Sequence, residues 1–452
     1  MYLLYSLLLT VGFLALLPWF AIDAFRTRKY ITGLRQRLGR LPAIGLDDRP
    51  RIWLHCVSVG ETEAARPLVR ALLERFPSYQ LVISTTTVTG QRIAREAFGG
   101  DAAAIFYFPI DWAWTVRRVL RTLQPAAVLI METELWPHLL RECQRRTIPV
   151  ALINGRISAT SFGRYKLIRF FIRGLLNHLS IALMQSEQDA ARIRELGIPN
   201  ERVLMPGNLK FDSAESSIED ATTENLRQRF GFDGTTRLIV AASTHAPEEQ
   251  VVIDAFKQIR NSQTSYRARL LIAPRHPERF GEVASLLQGS GFTWSRRSAM
   301  SQVEDTSCEV VLLDTIGELR AAYRLVDVAF VGGSIAPHGG HNILEPAARG
   351  VCVITGAHMH NFAAIAKAML DEEAIVQLPN VSASAALAEL ASALNALLSD
   401  DSLRRGIGQR ALMVCDQNRG ATEQTLQAIA CLLETPAAAS IPFPAICVTA
   451  AK

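Results

Sequence analysis

A chain of 452 residues with 49% apolar and 20% charged side chains has the composition of a folded protein of two or three domains, not of a disordered one. Its 48 basic and 43 acidic residues leave a formal net charge of +5, too balanced for a nucleic-acid binder. Seven cysteines without a Cys-x-x-Cys spacing argue against a zinc site or a disulfide framework and for reduced thiols in a cytosolic protein.

Residues Tyr2 to Ile22 carry no charge, and about twenty apolar residues span the hydrocarbon core of a bilayer as a helix. Arg26, Arg28, Lys29, Arg35, Arg37 and Arg40 follow, with no acid between Asp23 and Asp47. A basic flank on that side predicts a single amino-terminal membrane anchor over residues 1–22, with the rest of the chain on the cytoplasmic face. A helix lying flat in the membrane or packed as a core helix is the alternative. Apolar runs then alternate with helix-like segments. Strands are predicted at Arg51–Val57, Leu81–Thr85, Ala126–Met131, Pro149–Asn154, Ile181–Gln185 and Val203–Pro206, with helices at Thr62–Phe76, Gly90–Phe98 and Trp136–Arg146. Residues 212–234 break the rhythm and read as a linker, Ser-Ala-Glu-Ser-Ser followed by a charged helix ending at Gly231. The alternation resumes at Arg237–Ala242, Ala268–Ala273, Glu309–Asp314, Val328–Val331 and Val351–Thr355. This spacing predicts an α/β protein of two doubly wound, Rossmann-like domains, residues 23–211 and 235–433, with a ligand crevice between them. The helical stretch Ser402–Leu433 could return to brace the first half, and residues 434–452 read as a mobile tail.

Residues that could carry chemistry fall at the predicted carboxyl ends of strands, where such sheets bind ligands. Glu61, in Ser58-Val59-Gly60-Glu61, reads equally as a general base or as an acid favoured by a helix dipole. Glu132 and Glu134 repel one another, so one needs a raised pKa or a cationic partner. Lys210 offers a point charge for phosphate or carboxylate, and Arg275, after Pro274, a bidentate one. Ile316-Gly317-Glu318 follows another strand. Gly332-Gly333 and Gly339-Gly340 precede His341-Asn342-Ile343-Leu344-Glu345-Pro346, a glycine-rich loop and helix start suited to an anion such as a nucleotide phosphate. The pairs His338/His341 and His358/His360 lack acidic or cysteine ligands at helical spacing, so no metal is read there. Arg156, Arg164, Lys166, Arg169 and Arg173 interleave with aromatic residues, as on a face near anionic lipid or on an ordinary solvated helix.

Six segments in order resemble the bacterial 3-deoxy-D-manno-octulosonic acid (Kdo) transferases. They are His-Cys-Val-Ser-Val-Gly-Glu (55–61), Ile-Met-Glu-Thr-Glu-Leu-Trp-Pro (130–137), Gly-Asn-Leu-Lys-Phe-Asp (207–212), Pro-Arg-His-Pro-Glu-Arg (274–279), Gly-Glu-Leu (317–319), and Phe-Val-Gly-Gly-Ser through Gly-Gly-His-Asn-Ile-Leu-Glu-Pro (330–346). The resemblance implies a GT-B glycosyltransferase in the bacterial inner membrane that moves Kdo from CMP-Kdo to the lipid A precursor, lipid IVA, in lipopolysaccharide core biosynthesis. It implies inversion, no cofactor or metal, Glu61 as base, and Glu132 and Lys210 stabilising the transition state. CMP would be held by Pro274, Arg275, Ile316, Gly317, Glu318, Asn342, Ile343, Leu344 and Glu345. Ile343 and Ala357 stand where the family often has proline. The motifs alone leave open a GT-B enzyme using a UDP-sugar and a lipid acceptor, or a non-catalytic nucleotide-binding membrane protein.

Overall fold

The computed structural model describes residues 2–26, 32–42, 45, 47–212, 220–261 and 266–434. The chain divides into two compact units, Met1–Ser213 with Asn418–Lys452, and Ala214–Gln417.

Unit 1 is built on a parallel sheet of β1 (Arg51–Cys56), β2 (Gln80–Thr85), β3 (Ala104–Tyr107), β4 (Pro125–Met131), β5 (Val150–Gly155), β6 (Ile181–Met184) and β7 (Val203–Leu204). Spatially the order is β3-β2-β1-β4-β5-β6-β7. Helices cover both faces, which is why β2 and β5 are buried at every position and show no apolar/polar alternation. Val116, Leu120, Leu139 and Ile193 build the core on one face, and Leu68, Leu72, Phe98 and Ile429 that on the other. The order reverses direction between β1 and β4, so the loops leaving these two strands flank the switch point where open α/β sheets take ligands.

The predicted helix Thr62–Phe76 is two helices, Val59–Ala64 and Arg66–Arg75, and Pro67 sits in the first turn of the second, where a missing N–H costs nothing. The helix Ala421–Glu434 packs in unit 1 rather than in a carboxy-terminal domain running to residue 433. Asp212 fixes its start, accepting from the N–H groups of Gly420 (2.9 Å) and Thr422 (2.6 Å).

The anchor expected over residues 1–22 is not supported. A helix does form over Tyr2–Arg26, but among the described residues no helix is long and apolar enough to cross a membrane. One side of it is tied to unit 1 by polar contacts. The Tyr2 hydroxyl lies 2.7 Å from His178 Nε2, the Ser6 hydroxyl 2.8 Å from His138 Nε2, and the Trp112 indole N–H donates to Thr10 at 3.2 Å. Another side leaves Leu3, Leu7, Leu8 and Leu14 exposed.

Unit 2 repeats the architecture with β8 (Arg237–Thr244), β9 (Ala268–Pro274), β10 (Trp294–Arg296), β11 (Val310–Leu312), β12 (Val328–Val331), β13 (Cys352–Thr355) and β14 (Val376–Gln377), in the order β10-β11-β9-β8-β12-β13-β14. Its reversal lies between β8 and β12. Residues 220–230, read from sequence as linker, form a helix whose Leu226 and Phe230 are fully buried in this unit's core. The first part of that expected linker, residues 213–219, and the expected tail after Glu434 lie outside the described residues.

Ile429 is fully buried in unit 1 although it lies more than two hundred residues beyond Asp212. Ile429→Ala is expected to cost about 2–5 kcal/mol, as buried isoleucines do on truncation. Chemical denaturation followed by unit-specific hydrogen exchange should place the loss in unit 1 and leave the β8–β14 sheet unchanged.

Candidate active site

In unit 1 Glu61 and Glu132 follow the neighbouring strands β1 and β4, and the loop after the edge strand β7 brings Lys210 to Glu132. Glu61 lies on the short helix after β1 and is only 6% exposed. It accepts from the Val57 N–H (2.7 Å) and the Ser58 hydroxyl (3.0 Å). Burial first, and then the Glu132 charge, push its carboxyl up to about 8, and those two hydrogen bonds offset only part of this. Glu134 is pushed up to about 7 by the same two causes in the same order. Glu132 follows β4 with φ +53°, a left-handed conformation that non-glycine residues seldom adopt. Its carboxylate lies 3.4 Å from Lys210 Nζ and 3.6 Å from Arg156 Nη2. The expected repulsion is thus resolved in two ways, with two cations beside Glu132 and a proton held on its neighbours.

The position of Lys210 depends on residues that the motifs did not single out. Asn154, also at φ +53° and 1% exposed, accepts from the Leu209 N–H (3.0 Å). Gln185 donates to the Asn154 carbonyl (2.8 Å) and accepts from the Asn208 side chain (3.0 Å). An Asn and a Gln at the ends of predicted strands were the only available signal, because their convergence requires β5, β6 and the Gly207–Lys210 loop to be adjacent.

In unit 2 the predicted donor residues occupy loops at the carboxyl ends of β9, β11 and β12. Pro274 ends β9, and the exposed Arg275 has no ion-pair partner among the described residues. Arg275 forms no salt bridge with the nearby Glu278. Glu278 lies 3.7 Å from His276, and Arg279 pairs with Glu249 (2.6 Å) and Glu282 (2.8 Å). Ile316 is exposed beside Gly317, whose φ is +92°. Glu318 is paired with Arg297 at 2.7 Å. Although burial opposes it, this pairing and the Thr315 hydroxyl hold the Glu318 carboxyl below its usual range. Asn342 is half-buried, accepting from the Leu344 N–H (3.1 Å) and donating to Glu345 (3.3 Å), which also bonds Arg320 (3.0 Å). Ile343 and Leu344 are fully buried, so only their main chain can meet a ligand.

The glycine-rich loop differs from expectation. Its N–H groups do converge on an anion, but the anion belongs to the protein. Glu248, fully buried, accepts from the N–H groups of His245, Gly333, Ser334, Ile335 and Ala336 at 2.7–3.2 Å. Gly332 is required because a Cβ there would lie 2.7 Å from Glu248 Oε2. The helix expected to receive phosphate has four residues, Leu344–Ala347, and its first N–H is taken by Asn342. Gly339 and Gly340 hold left-handed conformations, φ +93° and +74°, and a Cβ on Gly340 would collide with the Met359 sulfur. In sequence, Glu248 is one of two acids at a helix start, a pattern too ordinary to single out. No group of histidines, cysteines and acids able to hold a metal ion occurs among the described residues.

Two variants probe these assignments. Glu132→Gln removes the nearby charge, so the titration midpoint of Glu61, followed by carboxyl NMR, is expected to move down from about 8 toward the ordinary range. Glu248→Gln replaces an acceptor by an amide that presents its own donors to backbone N–H groups. Unfolding of unit 2 is expected to become easier by about 1–3 kcal/mol for each donor left unpaired.

Residues 32–213 match the family model "3-Deoxy-D-manno-octulosonic-acid transferase (kdotransferase)". The chain is 33% identical over 430 residues to a 3-deoxy-D-manno-octulosonic acid transferase of Haemophilus influenzae, covering 95% of this chain and 98% of the relative. It is 34% identical over 385 residues to the enzyme of the same name from Bordetella pertussis, covering 84% and 86%. A solved glycosyltransferase from Rickettsia africae superposes with a TM-score of 0.56 at 12% identity, covering 86% of this chain and all of that one, a likeness of fold alone.

Proposed function

The chain belongs to the 3-deoxy-D-manno-octulosonic acid transferase family, and from that premise we propose that it transfers Kdo from CMP-Kdo to a sugar hydroxyl of the lipid A precursor during lipopolysaccharide core synthesis. The observation that carries the reading is Glu61. A buried carboxylate, held by two hydrogen bonds beside a second carboxylate, stands at the strand-order reversal of unit 1 in a chain 33% identical to such a transferase over 95% of its length.

In this reading Glu61 takes the proton of the acceptor hydroxyl. The freed oxygen attacks the anomeric carbon of Kdo from the side opposite the phosphate, the bond to phosphate breaks, and configuration inverts in one displacement. A carboxyl raised to about 8 is a stronger base than an ordinary glutamate, at the cost of being mostly protonated at neutral pH. Lys210 and Arg156, within 4 Å of Glu132, bring positive charge to the same strand ends, where it can offset charge on the reacting groups. Arg275, without an ion-pair partner among the described residues, supplies a guanidinium for the CMP phosphate, with Pro274, Gly317 and the main chain at Asn342–Glu345 about the nucleotide.

The exposed leucines of the amino-terminal helix, together with Leu167 and Phe170 between Arg164, Lys166, Arg169 and Arg173, suit a surface that lies in lipid with basic residues at the headgroups. We therefore place the enzyme at the cytoplasmic face of the bacterial inner membrane, held by that helix.

Glu61→Gln is expected to lower transfer by about 10²–10⁴-fold while CMP binding is retained. Because the base must be ionised, wild-type kcat/KM should rise with pH through about 8. Full activity in the Glu61→Gln protein would remove the assignment. Protection of the enzyme by UDP but not CMP would favour a UDP-sugar donor instead.

A further inference from the structure

Four histidines from three separate loops come together in unit 2. His245, after β8, stacks on His338 (ring centroids 4.2 Å) and on His341 (5.0 Å), both from the loop after β12, and meets His276, after β9, edge-on at 5.0 Å. The Nε2 atoms of His245 and His341 are 2.8 Å apart. At that distance one ring donates and the other accepts, so a neutral pair holds a single proton between them. The arrangement is built into the backbone. Glu248 accepts from the His245 N–H, and Gly333, at φ +67°, leaves room where a Cβ would lie 2.9 Å from the His341 ring.

We infer that the His245–His341 pair is the part of the donor site that meets the departing phosphate, taking up a proton that balances the charge gained there. This rests on the CMP-Kdo reading. When the bond from the anomeric carbon to the phosphate oxygen breaks, its electron pair stays on phosphate, and a singly charged diester becomes a doubly charged monoester. The acceptor's proton goes to Glu61, so it does not neutralise that charge. One further proton on the imidazole pair, drawn from solvent as the anion binds and returned as CMP leaves, gives both rings an Nδ1–H alongside the shared Nε2–H.

The surroundings keep the pair neutral until an anion arrives. Burial, then the electrostatic influence of His338, His276, Arg275 and Arg279, lower His245 to about 4, and burial, then Arg275, lower His341 to about 3. Nearby carboxylates are otherwise engaged. Glu248 faces backbone N–H groups, Glu249 pairs with Arg279, and Glu278 lies beside His276. His358 and His360, from the segment after β13, pack on Gly340 and Gly339 of the same loop and add no acid.

The test is CMP binding by calorimetry to the full chain, wild type and His341→Gln, from pH 6 to 8.5. Proton uptake in the wild type should make affinity fall by up to about tenfold per pH unit, and His341→Gln should flatten the slope. The phosphate of CMP itself titrates near pH 6, equally for both proteins, so the difference isolates the histidines. Should the variant not fold, wild type alone is measured at pH 7.5 in two buffers of different ionisation enthalpy. Uptake of a fraction of a proton per CMP is expected, and none overturns the inference. Equal slopes with retained affinity also overturn it while leaving the donor assignment standing. Absence of CMP binding at every pH, with UDP bound instead, removes the donor reading itself.

Discussion

A carboxylate taken out of water must find donors or cations or else keep its proton, and each unit meets that demand differently. Glu248 in unit 2 is fully satisfied, with backbone N–H groups from the loops after β8 and β12 pointing at its two oxygens. It is a structural anion that fixes the shape of the glycine loop. Glu61 in unit 1 has one N–H, one hydroxyl and a like charge for company. What is deprived of donors is raised in basicity, and it stands where a reacting hydroxyl could use it. One physical requirement yields a satisfied scaffold carboxylate in one unit and the proposed base in the other.

The backbone shows the same division. Glu132, Asn154 and Ser243 each hold a left-handed conformation directly after β4, near the end of β5 and near the end of β8. Left-handed geometry in non-glycine residues is unfavourable and persists where the surroundings over-determine it. At Glu132 the fixing contacts are the N–H donated to the Ile153 carbonyl (2.9 Å) and the cations on its carboxylate. At Asn154 they are hydrogen bonds to the lysine loop. Ser243 precedes Thr244, whose carbonyl accepts from the Arg275 N–H (3.0 Å), so the end of β8 fixes the backbone at Arg275. These positions mark the carboxyl edges of both sheets as the places where side-chain direction matters most.

The amino-terminal helix belongs to the same logic of satisfied and unsatisfied surface. Tyr2, Ser6 and Thr10 face polar partners in unit 1, while leucines at intervening positions remain uncovered. An apolar patch of this kind is costly in water and suited to lipid. The reading of a spanning anchor came from the length of the uncharged run. The tie between one side of the helix and unit 1 could not be anticipated, because serine, threonine and tyrosine in such a run are equally compatible with burial in a bilayer.

Sequence by itself determined the alternation of parallel strands and helices, since strands covered on both faces are mostly apolar and lack an alternating pattern. It also determined that Glu61, Glu132, Lys210 and Arg275 stand at strand ends, because the apolar runs that precede them are unambiguous. Only the tertiary structure decided which charges meet. Lys210 reaches Glu132 across 78 positions and His245 reaches His341 across 96, contacts set by strand order rather than by local spacing. It also decided that the glycine loop is filled by Glu248 and that the helix from Ala421 closes unit 1. Local patterns fix periodicity and turns, but a buried charge chooses its partner from whatever the folded sheet brings beside it.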